Sequence, residues 1–267
     1  MEAATRQRLD HTKHTVRSDL TDFAKGVLRG SGVRLDEREA TVVRNVRRDG
    51  FAVVEGYWSR ERALAMRDQL EAFLADGESK DYPEGAYLRF WDDRSYDQGV
   101  RRLYHVERVV PELVDFRNDP FVMKVVHAYY RRPFHSNVLV YQHNTRSNHA
   151  TRYYHVDAFQ REFKAFLYLD DVDESKGPFT YLRGTHRSHL TRLRKQIAGN
   201  KDGSPTSFYD EDLGRKLRQE TKLLGSAGTL ILADVRGLHR GSPQLGDSRS
   251  ALVNYILSEE GDRFLDQ

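Results

Sequence analysis

Apolar residues recur with two different periods along this chain, and the period changes near its middle. Leu20, Phe23, Ala24, Val27 and Leu28 are spaced three or four apart behind Ser18-Asp19, which predicts a helix to about Arg29, stopped by Gly30-Ser31-Gly32. Ala40, Val43 and Val46 behind a capping Asp36 predict a second helix, closed by the Asp49-Gly50 turn. Ala63, Met66, Leu70, Phe73 and Leu74 behind Ser59 form one stripe and predict a third helix, ending near residues 75–77. Phe121, Val122, Val125, Val126 and Tyr129 follow Asp119-Pro120 and predict a fourth. The other apolar runs are short and bounded by turn residues. Residues 51–55, 137–141, 164–169, 179–182, 229–233 and 251–257 therefore read as strands. Helices early and short strands late predict an α+β, mainly β domain built on a sandwich or barrel.

Two stretches depart from both periods. Residues 78–105 interleave Tyr82, Tyr87, Phe90, Trp91, Tyr96 and Tyr104 with Arg89, Asp92, Asp93, Arg94 and Asp97. That mixture suits either an irregular surface segment with buried aromatics or a wall facing a polar ligand. Residues 188–222 are polar, with turn chemistry over 199–207, and read as a partly helical insert and a candidate lid. Residues 1–17 are polar and aperiodic and read as a loose tail. Residues 18–267 then form a single domain.

Composition narrows the function classes. There are no cysteines, which excludes disulfides, thiolate metal sites and cysteine nucleophiles. The 43 basic and 40 acidic residues nearly balance, at a net charge of +3. A nucleic-acid partner would call for a concentrated basic face, so none is expected. No apolar run approaches the roughly 18 residues that span a membrane. Residues 1–14 lack the apolar core of a secretory signal, so a cytoplasmic protein is expected, acting on a small molecule. Composition leaves the oligomeric state open.

The stretch Tyr153-Tyr154-His155-Val156-Asp157 alternates like a strand, which points His155 and Asp157 to one side. One imidazole beside one carboxylate is two-thirds of a 2-His-1-carboxylate iron site. Gly237-Leu238-His239-Arg240-Gly241 offers a third ligand, and Arg249 follows ten residues later. Each alone is weak: a His-x-Asp pair is usually a surface pair and a lone arginine a solvated charge. His143 and His149 are weaker substitutes for His155. His186 and His189 are expected to be structural or solvent-facing.

The middle of the chain adds a resemblance. Residues 164–173, Lys-Ala-Phe-Leu-Tyr-Leu-Asp-Asp-Val-Asp, and residues 177–187, Gly-Pro-Phe-Thr-Tyr-Leu-Arg-Gly-Thr-His-Arg, are similar to the phytanoyl-CoA dioxygenase family. So are the opening residues 49–57, Asp-Gly-Phe-Ala-Val-Val-Glu-Gly-Tyr, and the order His155, Asp157, His239, Arg249. The resemblance covers about residues 45–258. It implies a double-stranded β-helix of the jelly-roll or cupin kind, with the N-terminal helices flanking it. It also implies an iron(II)- and 2-oxoglutarate-dependent dioxygenase. His155, Asp157 and His239 are then the implied iron ligands, with Arg249 partnering the distal carboxylate of 2-oxoglutarate.

The planar fork of Arg249 suits that carboxylate. Ser250 beside it offers a hydroxyl, although strand alternation can turn it away. Gln142 and Asn144 lie where the family often places a polar contact to 2-oxoglutarate, and a satisfied strand-end amide is the plain alternative. Tyr87, Trp91, Asn144 and Phe159 are candidate substrate contacts. Halogenases of this superfamily carry a small residue in place of Asp157, so the resemblance implies hydroxylation, desaturation or ring closure. The expected substrate is a small polar metabolite in bacterial natural-product biosynthesis. The alternatives are a nucleic-acid demethylase with the same iron pattern and a non-catalytic binding protein on the same barrel. The balanced charge speaks against the first, and the complete ligand set with Arg249 against the second.

Overall fold

The computed structural model describes residues 32–75, 81–90, 99–145, 153–157, 161–187, 207–208 and 213–258. The tail over 1–17 and the helix expected over 18–29 lie outside them, as does most of the expected insert.

The first described helix, α1 (Glu37–Asp49), begins at a capping box. The Asp36 carboxylate accepts from the Glu39 N–H at 2.7 Å, and Glu39 accepts from the Asp36 N–H at 2.9 Å. Val42, Val43 and Val46 form its buried stripe. It stops at Gly50, whose φ of +94° a side chain would strain. Strand β1 (Phe51–Val54) follows, and then α2 (Arg60–Ala75), with Ser59 Oγ accepting from the Arg62 N–H at 3.2 Å. Strands β2 (Tyr87–Phe90) and β3 (Val100–Tyr104) lead to the one-turn α3 (Val114–Arg117) and to α4 (Pro120–Tyr130). Pro120 opens α4, and the Asp119 carboxylate accepts from Phe121 and Val122.

The rest is sheet. The strands are β4 (His135–Asn144), β5 (His155–Val156), β6 (Glu162–Tyr168), β7 (Phe179–Leu182), β8 (Ser207–Phe208), β9 (Glu220–Leu223), β10 (Leu230–Asp234), β11 (His239–Gly241) and β12 (Arg249–Leu257). They form a seven-stranded sheet, β1-β10-β6-β12-β4-β3-β2, and a five-stranded sheet, β8-β5-β11-β7-β9. Every pairing between them is antiparallel. The two sheets make the double-stranded β-helix, and the helices pack outside the larger one.

Strand alternation divides the core. Leu252, Ile256, Leu139, Tyr141, Phe163, Ala165 and Leu167 face the helices and pack with Val46, Met66, Leu70 and Val125. Ala251, Tyr168, Ile231 and Ala233 face the other way and pack on Phe179 and Tyr181 of the small sheet. The residue pairs Ala251↔Tyr168, Val253↔Phe166 and Tyr255↔Lys164 run across the inner face. Register thus fixes which side chains reach the space between the sheets.

The structure resolves the two irregular stretches in part. Residues 87–90 and 100–104 are not loose surface but the edge hairpin of the large sheet, with Tyr87 stacked on Tyr104 at 4.7 Å. At the far end of the expected insert, β9 pairs with β7 as an edge strand. It reads as polar because an edge strand is covered on one side only. Among the described residues no helix is long and apolar enough to cross a membrane.

Candidate metal centre between the two sheets

Three side chains of the small sheet converge on the inner space. His155 begins β5, Asp157 follows its end, and His239 begins β11, directly opposite His155 in the ladder. Antiparallel pairing therefore sets the two imidazoles side by side, with ring centroids 4.5 Å apart. Asp157 reaches both: Oδ1 lies 3.6 Å from His155 Nε2 and Oδ2 3.2 Å from His239 Nε2. One ligating atom from each residue lies within 4.8 Å of the others, which is close enough for one ion.

Each imidazole is oriented by its other nitrogen. His155 Nδ1 lies 2.8 Å from the Tyr153 carbonyl, and His239 Nδ1 lies 2.9 Å from the Gly237 carbonyl. A carbonyl only accepts, so Nδ1 carries a hydrogen in each ring, which turns both Nε2 atoms toward the shared space. Burial, and His239 beside it, push the His155 imidazolium down to about 4. Burial alone would raise the Asp157 carboxyl, but Lys164 and the two histidines hold it well below the usual carboxylate range. Two imidazoles and one carboxylate in one cluster are the donor set of a mononuclear iron(II) site.

Arg249, the first residue of β12, is buried, 7% exposed. Its guanidinium donates to the Gly177 carbonyl, and among the described residues no carboxylate forms an ion pair with it. Burial pulls its pKa down, yet a guanidinium stays charged in proteins. A buried guanidinium that no described carboxylate contacts as an ion pair, with Asp170 acting on it only from a distance, offers a counter-charge for a carboxylate ligand.

Residues 46–251 match the family described as phytanoyl-CoA dioxygenase (PhyH). The chain belongs to the phytanoyl-CoA dioxygenase family. It is an iron(II)- and 2-oxoglutarate-dependent oxygenase. Solved structures of similar fold include the epimerase SnoN in complex with Fe3+, alpha-ketoglutarate and a nogalamycin, at 15% identity, TM-score 0.63, covering 83% of this chain and 84% of that one. They also include SnoK, a non-heme alpha-ketoglutarate-dependent carbocyclase from nogalamycin biosynthesis, at 16% identity, TM-score 0.59, and coverage of 84% and 85%. HygX from Streptomyces hygroscopicus, with nickel and 2-oxoglutarate bound, matches at 15% identity, TM-score 0.56, and coverage of 85% and 88%. No curated protein matches the sequence.

In this phytanoyl-CoA dioxygenase relative the other expected site residues fall into three groups. Gln142 and Asn144 lie on the inner face, opposite Ala251 and Arg249. Gln142 Nε2 donates to Asn144 Oδ1 at 2.9 Å, and Gln142 Oε1 accepts from Arg102 at 3.1 Å. Tyr87 belongs to the same face through its partner Tyr104 and is half-exposed. Ser250 does not reach the site. Alternation turns it to the helix side, where Ser250 Oγ lies 3.1 Å from Tyr141 Oη, 3.0 Å from His143 Nδ1 and 3.3 Å from Glu71. His143 faces the same way and cannot substitute for His155. Trp91, Phe159, His149 and His189 lie outside the described residues. His186 is buried with Nε2 3.2 Å from the Arg47 carbonyl, a structural role as expected.

The sequence reading missed Lys164. Its ammonium lies 2.7 Å from Asp157 Oδ2 and 3.3 Å from Glu162, beneath the Tyr255 ring at 4.1 Å. The signal was present: Lys164, Phe166 and Tyr168 share one face of β6, and a lone charge on such a face asks for a partner.

Proposed function

We propose that this oxygenase hydroxylates, or otherwise oxidises at a C–H bond, a small polar metabolite of bacterial natural-product biosynthesis. His155, Asp157 and His239 hold the iron(II), and Arg249 holds the distal carboxylate of 2-oxoglutarate. The observation that carries the reading is the convergence of three ligating atoms within 4.8 Å, two of them on imidazoles whose Nδ1 is committed to a carbonyl.

When bound, iron(II) with 2-oxoglutarate and dioxygen supplies the oxidising power that no side chain here provides. The chain's own part is orientation and exclusion of water. His155 and His239 present their Nε2 atoms, and Asp157 presents a carboxylate already ionised. Arg249 offers a fixed fork at the start of β12. Phe179 packs 5.3 Å from His239 and 4.6 Å from Phe166, closing the site with apolar surface. Beyond Tyr255, the inner face continues through Gln142, Arg102, Tyr104, Arg89 and Tyr87. The Arg89 guanidinium lies over both stacked rings, at 5.4 and 5.5 Å. A wall of aromatic faces and polar tips supports a hydroxylated or charged substrate. The solved neighbours point to the same class: SnoK belongs to nogalamycin biosynthesis, and HygX has been seen with hygromycin B bound.

The test is an anaerobic titration with iron(II) and then 2-oxoglutarate, read as the weak visible charge-transfer band of the chelate. The band should appear with the native protein, vanish in His155→Ala and weaken in Arg249→Ala. Succinate release in air then ranks candidate substrates. A folded protein that binds iron(II) without giving the band would overturn the assignment of the co-substrate site.

A further inference from the structure

The main chain that displays Arg249 is held from outside the site. On one side Arg249 pairs with Asn144 of β4. On the other, the ladder between β6 and β12 ends at Tyr168 and Ala251. One residue further, the Ser250 carbonyl still accepts from the Leu169 N–H at 3.0 Å. The Ser250 N–H, on the same side, donates to a side chain instead: Asp170 Oδ2, at 2.7 Å. Ser250 is fully buried, so this N–H needs an acceptor. A carbonyl would serve it without bringing a charge inside. A carboxylate whose side chain is 7% exposed is costly unless paired, and Asp170 is paired: Oδ1 accepts from Arg67 of α2 at 2.6 Å.

The Ser250 side chain is held from the same direction. Its Oγ donates to Glu71, one helical turn past Arg67 on α2, at 3.3 Å, and accepts from Tyr141 Oη at 3.1 Å. Ser250 and Arg249 are neighbours on one strand and point to opposite faces. Fixing Ser250 from the helix side therefore fixes the main chain from which Arg249 reaches the inner side. A guanidinium rides on a long stem, so where its fork sits depends on where that stem begins. We propose that Asp170 is a positioning residue of the 2-oxoglutarate site: together with Arg67 it clamps the start of β12 to α2 and so holds Arg249 in place for the distal carboxylate. The inference rests on the role of Arg249 proposed above.

Asp170 also acts on Arg249 as a distant acid, and this second influence has the opposite sign. A negative charge near Arg249 weakens its hold on an anion, so losing that charge would tighten 2-oxoglutarate binding. Losing the clamp would loosen it. The clamp governs, because it is a direct hydrogen bond to the adjoining residue, whereas the charge acts from beyond ion-pair range. The direction of the change in affinity thus separates the two roles.

The experiment compares two 2-oxo acids on the full chain loaded anaerobically with iron(II), reading the visible charge-transfer band. 2-Oxoglutarate carries the distal carboxylate; pyruvate presents the same chelating end without it. In Asp170→Ala the Kd of 2-oxoglutarate should rise about tenfold, the size typical of losing a group that orients a binding residue, while the Kd of pyruvate stays at the native value. Asp170→Asn keeps an oxygen for the Ser250 N–H and should recover most of the loss. Tighter binding of 2-oxoglutarate in Asp170→Ala would mean that only the charge matters, and would overturn the proposal. Equal weakening of both acids, as from a merely structural aspartate, or no change in either, would overturn it as well. If Asp170→Ala fails to fold, Arg67→Met decides: a smaller loss confined to 2-oxoglutarate supports the clamp, and any other result overturns it. Arg249→Ala is the reference. If that variant still prefers 2-oxoglutarate to pyruvate as the native protein does, the reading of Arg249 falls, and the clamp with it.

Discussion

At the scale of single residues, the site depends on backbone atoms that must stay where they are. Gly237 is the clearest case. A Cβ there would lie 1.8 Å from Tyr181 Oη, and that hydroxyl is fixed by donating to the Asp234 carbonyl at 2.7 Å. The Gly237 carbonyl in turn orients His239. Gly237→Ala should therefore cost about 1–3 kcal/mol of stability by overpacking. It should also lower metal affinity about tenfold by turning His239. Denaturant unfolding of the metal-free protein measures the first and calorimetric titration the second; loss of stability with unchanged affinity would sink the link to His239. A second prediction concerns pH. Burial holds His186 below the usual histidine value, so the unfolded chain binds its proton more readily than the folded one. Its contribution is present above about pH 6.5 and is lost as the pH falls through that value. Urea midpoints should drop on acidification, and the drop should be shallower in His186→Gln. An unchanged slope would show that His186 does not carry it.

At the scale of elements, legibility followed how locally each was determined. α1, α2 and α4 were readable because cap, stripe and stop all lie within one short stretch. In α1 the Asp36–Glu39 box alone marks the start, and Asp36→Ala should destabilise by about 1 kcal/mol in denaturant unfolding; no measurable change would mean the box adds nothing to the fold. Central strands β6, β10 and β12 were readable as apolar runs, since they are covered on both faces. β5, β8 and β11 are two or three residues long and exist only through distant partners, so no local pattern announces them. The hairpin of β2 and β3 was ambiguous for the same reason. The site shows the same division. His155 and Asp157 were visible by alternation, and His239 and Arg249 through a resemblance. Lys164 and the outward turn of Ser250 required knowing which face of β6 and β12 looks inward, and that is set by pairing between residues some 85 positions apart, such as Tyr168 with Ala251.

At the scale of the whole molecule, the two sheets contribute different halves of one site. The three proposed ligands come from the small sheet, whereas Lys164 and Arg249 come from the large one. Much of the inter-sheet core between them is aromatic, with Phe166, Phe179, Tyr168 and Tyr181 in one cluster. On the proposed assignment, a metal ion alone would tie together strands of one sheet, and 2-oxoglutarate held by Arg249 would tie the two sheets to each other. Ligands that bind only the folded state raise its stability by about 2.7 kcal/mol at a hundredfold excess over Kd. For a domain of this size that is about 5–10 °C in Tm for each ligand. Under anaerobic conditions iron(II) should raise the Tm, and 2-oxoglutarate should raise it again only when the metal is already present. In Arg249→Ala the first increment should survive and most of the second should disappear, because the bridge to β12 is lost. A second increment of full size in that variant would place the distal carboxylate elsewhere, on another cation of the inner face such as Arg102. An increment from 2-oxoglutarate without metal would mean that the protein binds the acid through its cations alone.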